Sequence, residues 1–324
     1  MTAALRIGIV GCGRLAELGY VPALSDLPGV QVVAVADPDA ERRSVVAGSL
    51  AGSPDRAPVA QYDDAHALVT GSAVDGVVIA SPVAAHLADA GAAAAAGVVA
   101  LLEKPPAPDA AGAAELLALS PRPFLGFNRR FDAGAQAARG AARDGGELSM
   151  TLRLHYRRAA WAPHRVRDDV LLDLGPHLVD WAQWISGRAV TAARCPVLTG
   201  ERAEVHLTLD GATAVIDVAA DRPHQEVVEV RDASGGLLHR HRLGGIVDGV
   251  RARLLRGGRP DALVTTLRAE LQAYAHALRT GEADQLGSVA DGVAVMSVLD
   301  AARTSAAAGG SSTPVLPPVL PPDH

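Results

Sequence analysis

The chain has 324 residues and a formal charge of −6; 49% of its residues are hydrophobic, only 3% are aromatic, and two are cysteines. That length exceeds the ~100 to 200 residues usual for one domain and predicts two, while an Ala/Val/Leu-rich, aromatic-poor make-up excludes a disordered chain and suits α/β better than a β-sandwich. With no basic stripe or aromatic platform for a nucleic acid, no disulfide framework from Cys12 and Cys195, and no signal-peptide order at the N-terminus, the expectation is a reduced, cytoplasmic protein without a nucleic-acid partner.

RIGIVGCG, residues 6–13, reads as a buried strand running into a glycine turn, and LAELGYVPAL then has the apolar spacing of a helix. The turn, Gly11, Cys12, Gly13, Arg14, Leu15, Ala16, matches G-x-G-x-x-A. Its glycines permit a tight turn and close approach of backbone to a pyrophosphate, and the next helix offers free N–H groups and a positive dipole end. Such turns also arise for structural reasons alone. Here a strand precedes and a helix follows, and VQVVAVAD supplies a second strand ending in Asp37, where a carboxylate accepts from ribose hydroxyls. A carboxylate beside a 2′-phosphate is a like-charge contact, so NAD is favoured. NADP stays open, since Arg42 and Arg43 follow on the same loop, although solvated positions on the next helix are the simpler account of both.

HALVTG then reads as a helix and VDGVVIASP as a strand. Residues 84–103 imitate a membrane span, but Asp89, Gly91 and Gly97 interrupt them; a helix to about Ala96 and a short buried strand, VVALL, fit better, so no membrane partner is expected. That strand ends in Glu103 and Lys104, and Pro105 stops it. PFLGFN reads as the last strand of the alternation. Strands separated by helices predict a doubly wound parallel sheet with ligands at the carboxyl ends of the strands, which is where Lys104 falls.

From Ser149 the periodicity changes. MTLRLHYR alternates, EVHLTLDGATAVIDV is two runs joined at Asp210 and Gly211, and VVEVR and LLHRHRL flank DASGG. These strands predict an open, mostly antiparallel sheet with one face on helices and the other free for a second subunit. His239 and His241 share one face of their strand; exposed polar alternation explains them more simply than metal binding, and no metal site is expected. Between the strands, Pro176 suits a first helical position and Gly187 a stop, which predicts a helix over Pro176 to Ser186 with Leu178, Trp181 and Ile185 buried. His177 then lies in the first turn, where the dipole disfavours imidazolium, and Asp173 four residues earlier can orient it. A capping aspartate and a core histidine are the structural alternative. Trp161, in RRAAWAPHR, is a candidate border of the nicotinamide or a core residue, and arginines 153, 157, 158, 165 and 167 suggest a phosphate-bearing substrate or plain solvated charge. Two amphipathic helices and a proline-rich tail, expected to be extended or disordered, complete the chain.

GIVGCGRLA, the acid in VAVADPD, SPVAAH at 81–86, LLEKP at 101–105 and DVLLDLGPHLVD at 169–180 together give the sequence a resemblance to the glucose-fructose oxidoreductase and inositol dehydrogenase family, often written Gfo/Idh/MocA. The resemblance covers most of the chain, and E-K-P followed by D-x-G-x-H is its specific part. It implies an α/β protein with a Rossmann domain over 1–127, an α+β domain with a large open sheet over 128–310, a tail over 311–324, and hydride transfer between NAD(P) and a sugar, cyclitol or nucleotide-linked keto-sugar. It implies that His177 exchanges the proton, Asp173 orients it and Lys104 serves the reacting oxygen. Cofactor contacts are implied at Gly11, Cys12, Gly13, Arg14, Leu15, Asp37, Ser81, Pro82, His86, Glu103 and Lys104, and assembly as a homodimer or homotetramer through the C-terminal sheet. Ser81, Pro82, Val83 stand where members commonly have T-P-N, which removes an asparagine side-chain contact. The alternative on the same fold is a non-catalytic dinucleotide-sensing regulator.

Overall fold

Strands of unbroken apolar character need cover on both faces, and the first part of the chain supplies helices to give it. The protein, described by a computed structural model at residues 3–25, 27–51, 58–143, 146–158, 169–244 and 262–316, divides into two units. In the first, β1 (Leu5–Val10), β2 (Val30–Ala36), β3 (Ala60–Tyr62), β4 (Gly76–Ile79), β5 (Val99–Glu103) and β6 (Phe124–Gly126) form a sheet of order β3-β2-β1-β4-β5-β6. Every pairing is parallel. The strand order reverses between β1 and β4, so the crevice for a ligand opens beyond their carboxyl ends.

The connecting helices start where short polar side chains take up orphan N–H groups. Asp64 accepts from Ala67 N at 2.7 Å to open α3 (Ala65–Gly71), and Asp109 accepts from Gly112 N at 2.8 Å to open α5 (Ala110–Glu115). The helix after β1 is less regular: Ala16–Tyr20 form a π-type turn, in which Val21 N bonds back to Ala16 O, before α1 (Val21–Ser25). Two further helices, α2 (Ala40–Ala51) and α4 (His86–Ala95), lie in the next crossovers.

The second unit begins with α6 (Ala133–Ala141) and holds a mixed sheet of seven strands. They are β7 (Leu148–Arg157), β8 (Val190–Leu198), β9 (Arg202–Leu209), β10 (Ala212–Ala219), β11 (Asp221–Asp232), β12 (Leu237–Gly244) and β13 (Thr313–Pro314), in the order β12-β11-β7-β10-β9-β8-β13. Only β7 and β10 run parallel. Gly211, at φ 66°, turns the β9–β10 hairpin. Along β7, Leu148, Met150, Leu152 and Leu154 are buried on the helix side, while Ser149, Thr151 and Arg153 alternate to the other. α7 (Val170–Ser186) packs on β7 and β10.

Four expectations are corrected. The linear domain division fails after residue 260: residues 260–292, which include α8 (Ala262–Thr280), belong to the first unit. There the Tyr274 hydroxyl donates to Val99 O at 2.7 Å and stands 3.2 Å from Val77 O, against a position where only Gly76 leaves room. The tail does not begin at 311, because Thr313 and Pro314 pair with Ala193 and Ala192 of β8; the rest of it from 317 lies outside the described residues. His239 and His241 are half-buried rather than exposed, and the His241 ring lies against Gly134 of α6. Finally, α7 starts at Val170, not Pro176: Asp169 accepts from Leu172 N at 2.8 Å and caps it. Pro176 thus sits inside the helix at the cost of one backbone bond, and burial of both flanks, including Leu171, Leu174, Leu178 and Trp181, offsets that cost.

Candidate active site

Gly11 closes β1 with φ 91°, and a Cβ there would stand 2.5 Å from Ser81 N and 2.6 Å from the Ala80 carbonyl. Both the positive φ and the contact demand glycine. Gly13 is different, since a Cβ there would meet nothing within 4 Å. Among the described residues no atom explains that glycine, whereas a pyrophosphate lying against the backbone does. This is the observation by which the residues present fit a dinucleotide.

Asp37, buried at the end of β2, braces the turn: its carboxylate accepts from Cys12 N at 2.8 Å and Asp39 N at 2.9 Å. Each oxygen keeps a further lone pair for a ribose hydroxyl. Arg43 is not the solvated side chain expected, for it pairs with Asp63 at 2.8 Å and donates to Asp37 O; Arg42 is exposed and pairs with Asp39 at 3.3 Å. Cys12 is a buried thiol pushed up to about 12, first by burial and then by the Asp37 charge.

The turn after β5 is held from two sides. Tyr20, fully buried at the end of the π-type turn, donates to Glu103 Oε1 at 2.7 Å, and Glu103 Oε2 accepts from Lys104 N at 3.0 Å. Burial raises the Glu103 carboxyl, and the Lys104 charge, the Tyr20 hydroxyl and the backbone N–H act against it. On the other side, His86 lies between Pro105 O and Ser81 O. Ser81 Oγ donates to Asp89 Oδ2 at 2.6 Å. Among the expected cofactor contacts, then, the side chains of Glu103, His86 and Ser81 are bonded to protein groups. Lys104, half-buried on a cis peptide to Pro105, is at the carboxyl end of β5 as expected.

In the second unit, Asp173 and His177 stand one turn apart on α7, so their side chains share a face. His177 is buried, but in the middle of α7 rather than its first turn, where the dipole no longer acts on it. Sequence reasoning missed Tyr156: from the helix side of β7 its hydroxyl donates to Asp173 Oδ2, and Arg158 Nη2 stands 3.8 Å from the same oxygen. Burial and the Asp173 charge raise the Tyr156 phenol far above neutrality, so it remains a donor. Its place two residues after Leu154 in the alternating run was the available signal. Arg153 pairs with Asp217 at 2.7 Å, Arg157 is exposed, and Trp161, Arg165 and Arg167 lie outside the described residues.

A parallel sheet of this order, with a glycine turn after its first strand and an aspartate after its second, is the architecture of a dinucleotide-binding domain. Residues 5–122 match the family model described as an oxidoreductase family with an NAD-binding Rossmann fold. An inositol 2-dehydrogenase of Leifsonia xyli subsp. xyli is 33% identical over 59% of this chain and 56% of its own, and inositol 2-dehydrogenase 2 of Paenarthrobacter aurescens is 28% identical over 96% and 98%. The chain therefore spans little more than half the length of the first of these relatives. The crystal structure of myo-inositol dehydrogenase from Lactobacillus casei in complex with NAD(H) and myo-inositol shares the fold, with a TM-score of 0.77 and 19% identity over 98% of this chain and 99% of that one. Residues 5–122 thus resemble the NAD-binding part of that oxidoreductase family, and the chain as a whole shares the fold of the inositol dehydrogenase structure. Among the described residues, no helix is long and apolar enough to cross a membrane.

Proposed function

We propose that the protein is an NAD-dependent dehydrogenase or reductase acting on a secondary alcohol or ketone of a cyclitol or sugar. The observation that carries this reading is Lys104, fixed at the carboxyl edge of the cofactor sheet by Tyr20 and Glu103, in a chain that also keeps Asp173 and His177 one turn apart. A dinucleotide-sensing regulator has no need of that trio. The inositol dehydrogenase relatives favour a cyclitol. Arg153 and Arg158 are engaged by Asp217 and Asp173, which leaves less support for a nucleotide-linked substrate.

Oxidising a secondary alcohol removes a hydride from carbon and a proton from oxygen. NAD, when bound, accepts the hydride. His177 takes the proton, and returns it in the reductive direction. Asp173 orients the imidazole and offsets the charge it gains, with Tyr156 and Arg158 holding the carboxylate in place. Lys104 donates to the substrate oxygen as negative charge develops there. The same proposal includes assembly as a homo-oligomer through the outer face of the second sheet, which sedimentation analysis tests: a monomer at micromolar concentration removes that part. The reaction is tested by following nicotinamide absorbance over a panel of inositols, polyols and keto-sugars. Turnover on a cyclitol or sugar that Lys104→Met abolishes is the expected result; NADH binding without turnover across the panel supports the regulator instead.

A further inference from the structure

His86 begins α4 and is 2% exposed, with Nδ1 2.9 Å from Pro105 O and Nε2 2.8 Å from Ser81 O. Carbonyl oxygens only accept, and a neutral imidazole donates from one nitrogen alone. The ring therefore holds one carbonyl with a single proton and both with two. Burial lowers its pKa, the backbone acceptors at Ser81, Pro105 and Pro106 work against that, and the Lys104 charge adds to the lowering. The acids in the neighbourhood are turned elsewhere: Asp89, on the same helix, accepts from Ser81 Oγ, and Glu103 from Tyr20.

The two carbonyls belong to different turns. Ser81 follows β4 and packs against Gly11 of the glycine turn, while Pro105 follows Lys104. The β4–β5 ladder stops at Ile79 and Leu102, and beyond it the strand ends are bridged by this ring. We propose that His86 is a positioning residue that straps the Lys104–Pro105 turn to the Ser81 turn of the cofactor crevice, so that the place of the Lys104 ammonium is set through an imidazole that itself touches neither cofactor nor substrate. This rests on the function proposed above for its catalytic consequence, but not for its structural one.

The test compares His86→Phe, which keeps the ring volume and removes both ring nitrogens, with His86→Gln, which restores a donor. Amide hydrogen exchange over residues 99–107, read without substrate, is expected to quicken about 10-fold or more in His86→Phe while distant segments hold their protection. NADH affinity is expected to change by less than about 3-fold while turnover falls about 10-fold or more, because a small displacement of a positioned group is costly to rate. His86→Gln recovers part of both the protection and the turnover. Unchanged exchange over 99–107 in His86→Phe overturns the proposal, as does NADH affinity falling in step with turnover, which would make His86 a direct cofactor contact. If His86→Phe does not fold, His86→Gln decides by the same exchange measurement. Should no substrate be found, the exchange result still stands, so failure of the strap is distinguishable from failure of the proposed reaction.

Discussion

Asp37 shows how one carboxylate can serve the fold and a ligand together, because it caps the backbone of its own turn and of the glycine turn while keeping lone pairs for a ribose. With Arg43 committed to Asp63 and Arg42 to Asp39, neither guanidinium is set against a 2′-phosphate, and the like-charge contact with Asp37 costs such a ligand on the order of 1 kcal/mol or more. NADH is therefore expected to bind at least several-fold tighter than NADPH, and Asp37→Ala to narrow the gap; titrating both cofactors against both proteins checks this, and equal affinities in the wild type would remove Asp37 from the role. The neighbouring Cys12 has the opposite character to a reactive thiol. Burial and the Asp37 charge hold it protonated within the glycine turn. In the native protein it should resist iodoacetamide at neutral pH and be alkylated only on unfolding, as peptide mass spectrometry can report.

Two elements set the geometry of the second unit's candidate residues. α7 depends on Asp169 for its start, and through that start on the spacing that brings Asp173 beneath Tyr156 of β7. Tyr156→Phe removes a donor from a partly buried carboxylate; turnover is expected to fall about 10-fold while NADH binding changes by less than about 3-fold. Equal turnover in the variant would separate Tyr156 from the reaction. On the other face of the sheet, Asp217 of β10 receives Arg153 and His155 of β7. Half-burial pushes its carboxyl up, but hydrogen bonds from His155 and Arg153 prevail and bring it to about 2. A carboxylate whose pKa is lowered on folding adds stability above its unfolded value near 4, and loses it as the pH falls towards 2. Wild type should thus lose about 1 kcal/mol more than Asp217→Asn between roughly pH 5 and 2, after screening of a half-buried group is allowed for, as urea unfolding at the two pH values would measure.

At the scale of the whole molecule, the chain leaves the first unit after residue 128 and returns to it at 260. The return is structural rather than decorative, since α8 brings Tyr274 onto the carbonyls of β4 and β5, and Asn128 Nδ2 reaches Thr266 Oγ1 at 3.1 Å. A chain ending at residue 128 would expose the apolar surface under Leu267, Leu271 and Tyr274, all buried in the intact protein. It is expected to lack a cooperative thermal transition and to bind no NADH, whereas the intact chain should gain about 2.7 kcal/mol of stability when NADH is present at 100 times its dissociation constant. Calorimetry of both proteins with and without NADH makes the comparison; a cooperative, NADH-stabilised fragment would show that α8 is dispensable.

Local pattern alone determined the first unit's alternation of strands and helices and the position of its ligand edge, because buried parallel strands announce themselves as apolar runs and the glycine turn, Asp37 and Lys104 each end one. It also determined the alternating strands and the Asp210–Gly211 hairpin of the second sheet, where side chains with a period of two face core and solvent in turn. What it misjudged was decided by burial far along the chain. Pro176 looks like a helix start because proline disfavours a helix interior, and tertiary packing of α7 overrode that preference. The pairing of β13 with β8, the return of α8 to the first unit, and the contacts of Tyr20 with Glu103, His86 with Ser81 and Pro105, and Tyr156 with Asp173 join residues from 5 to more than 100 positions apart. No local periodicity encodes such partners: a buried hydroxyl or imidazole must find one, and only the assembled fold fixes which carboxylate or carbonyl stands within reach.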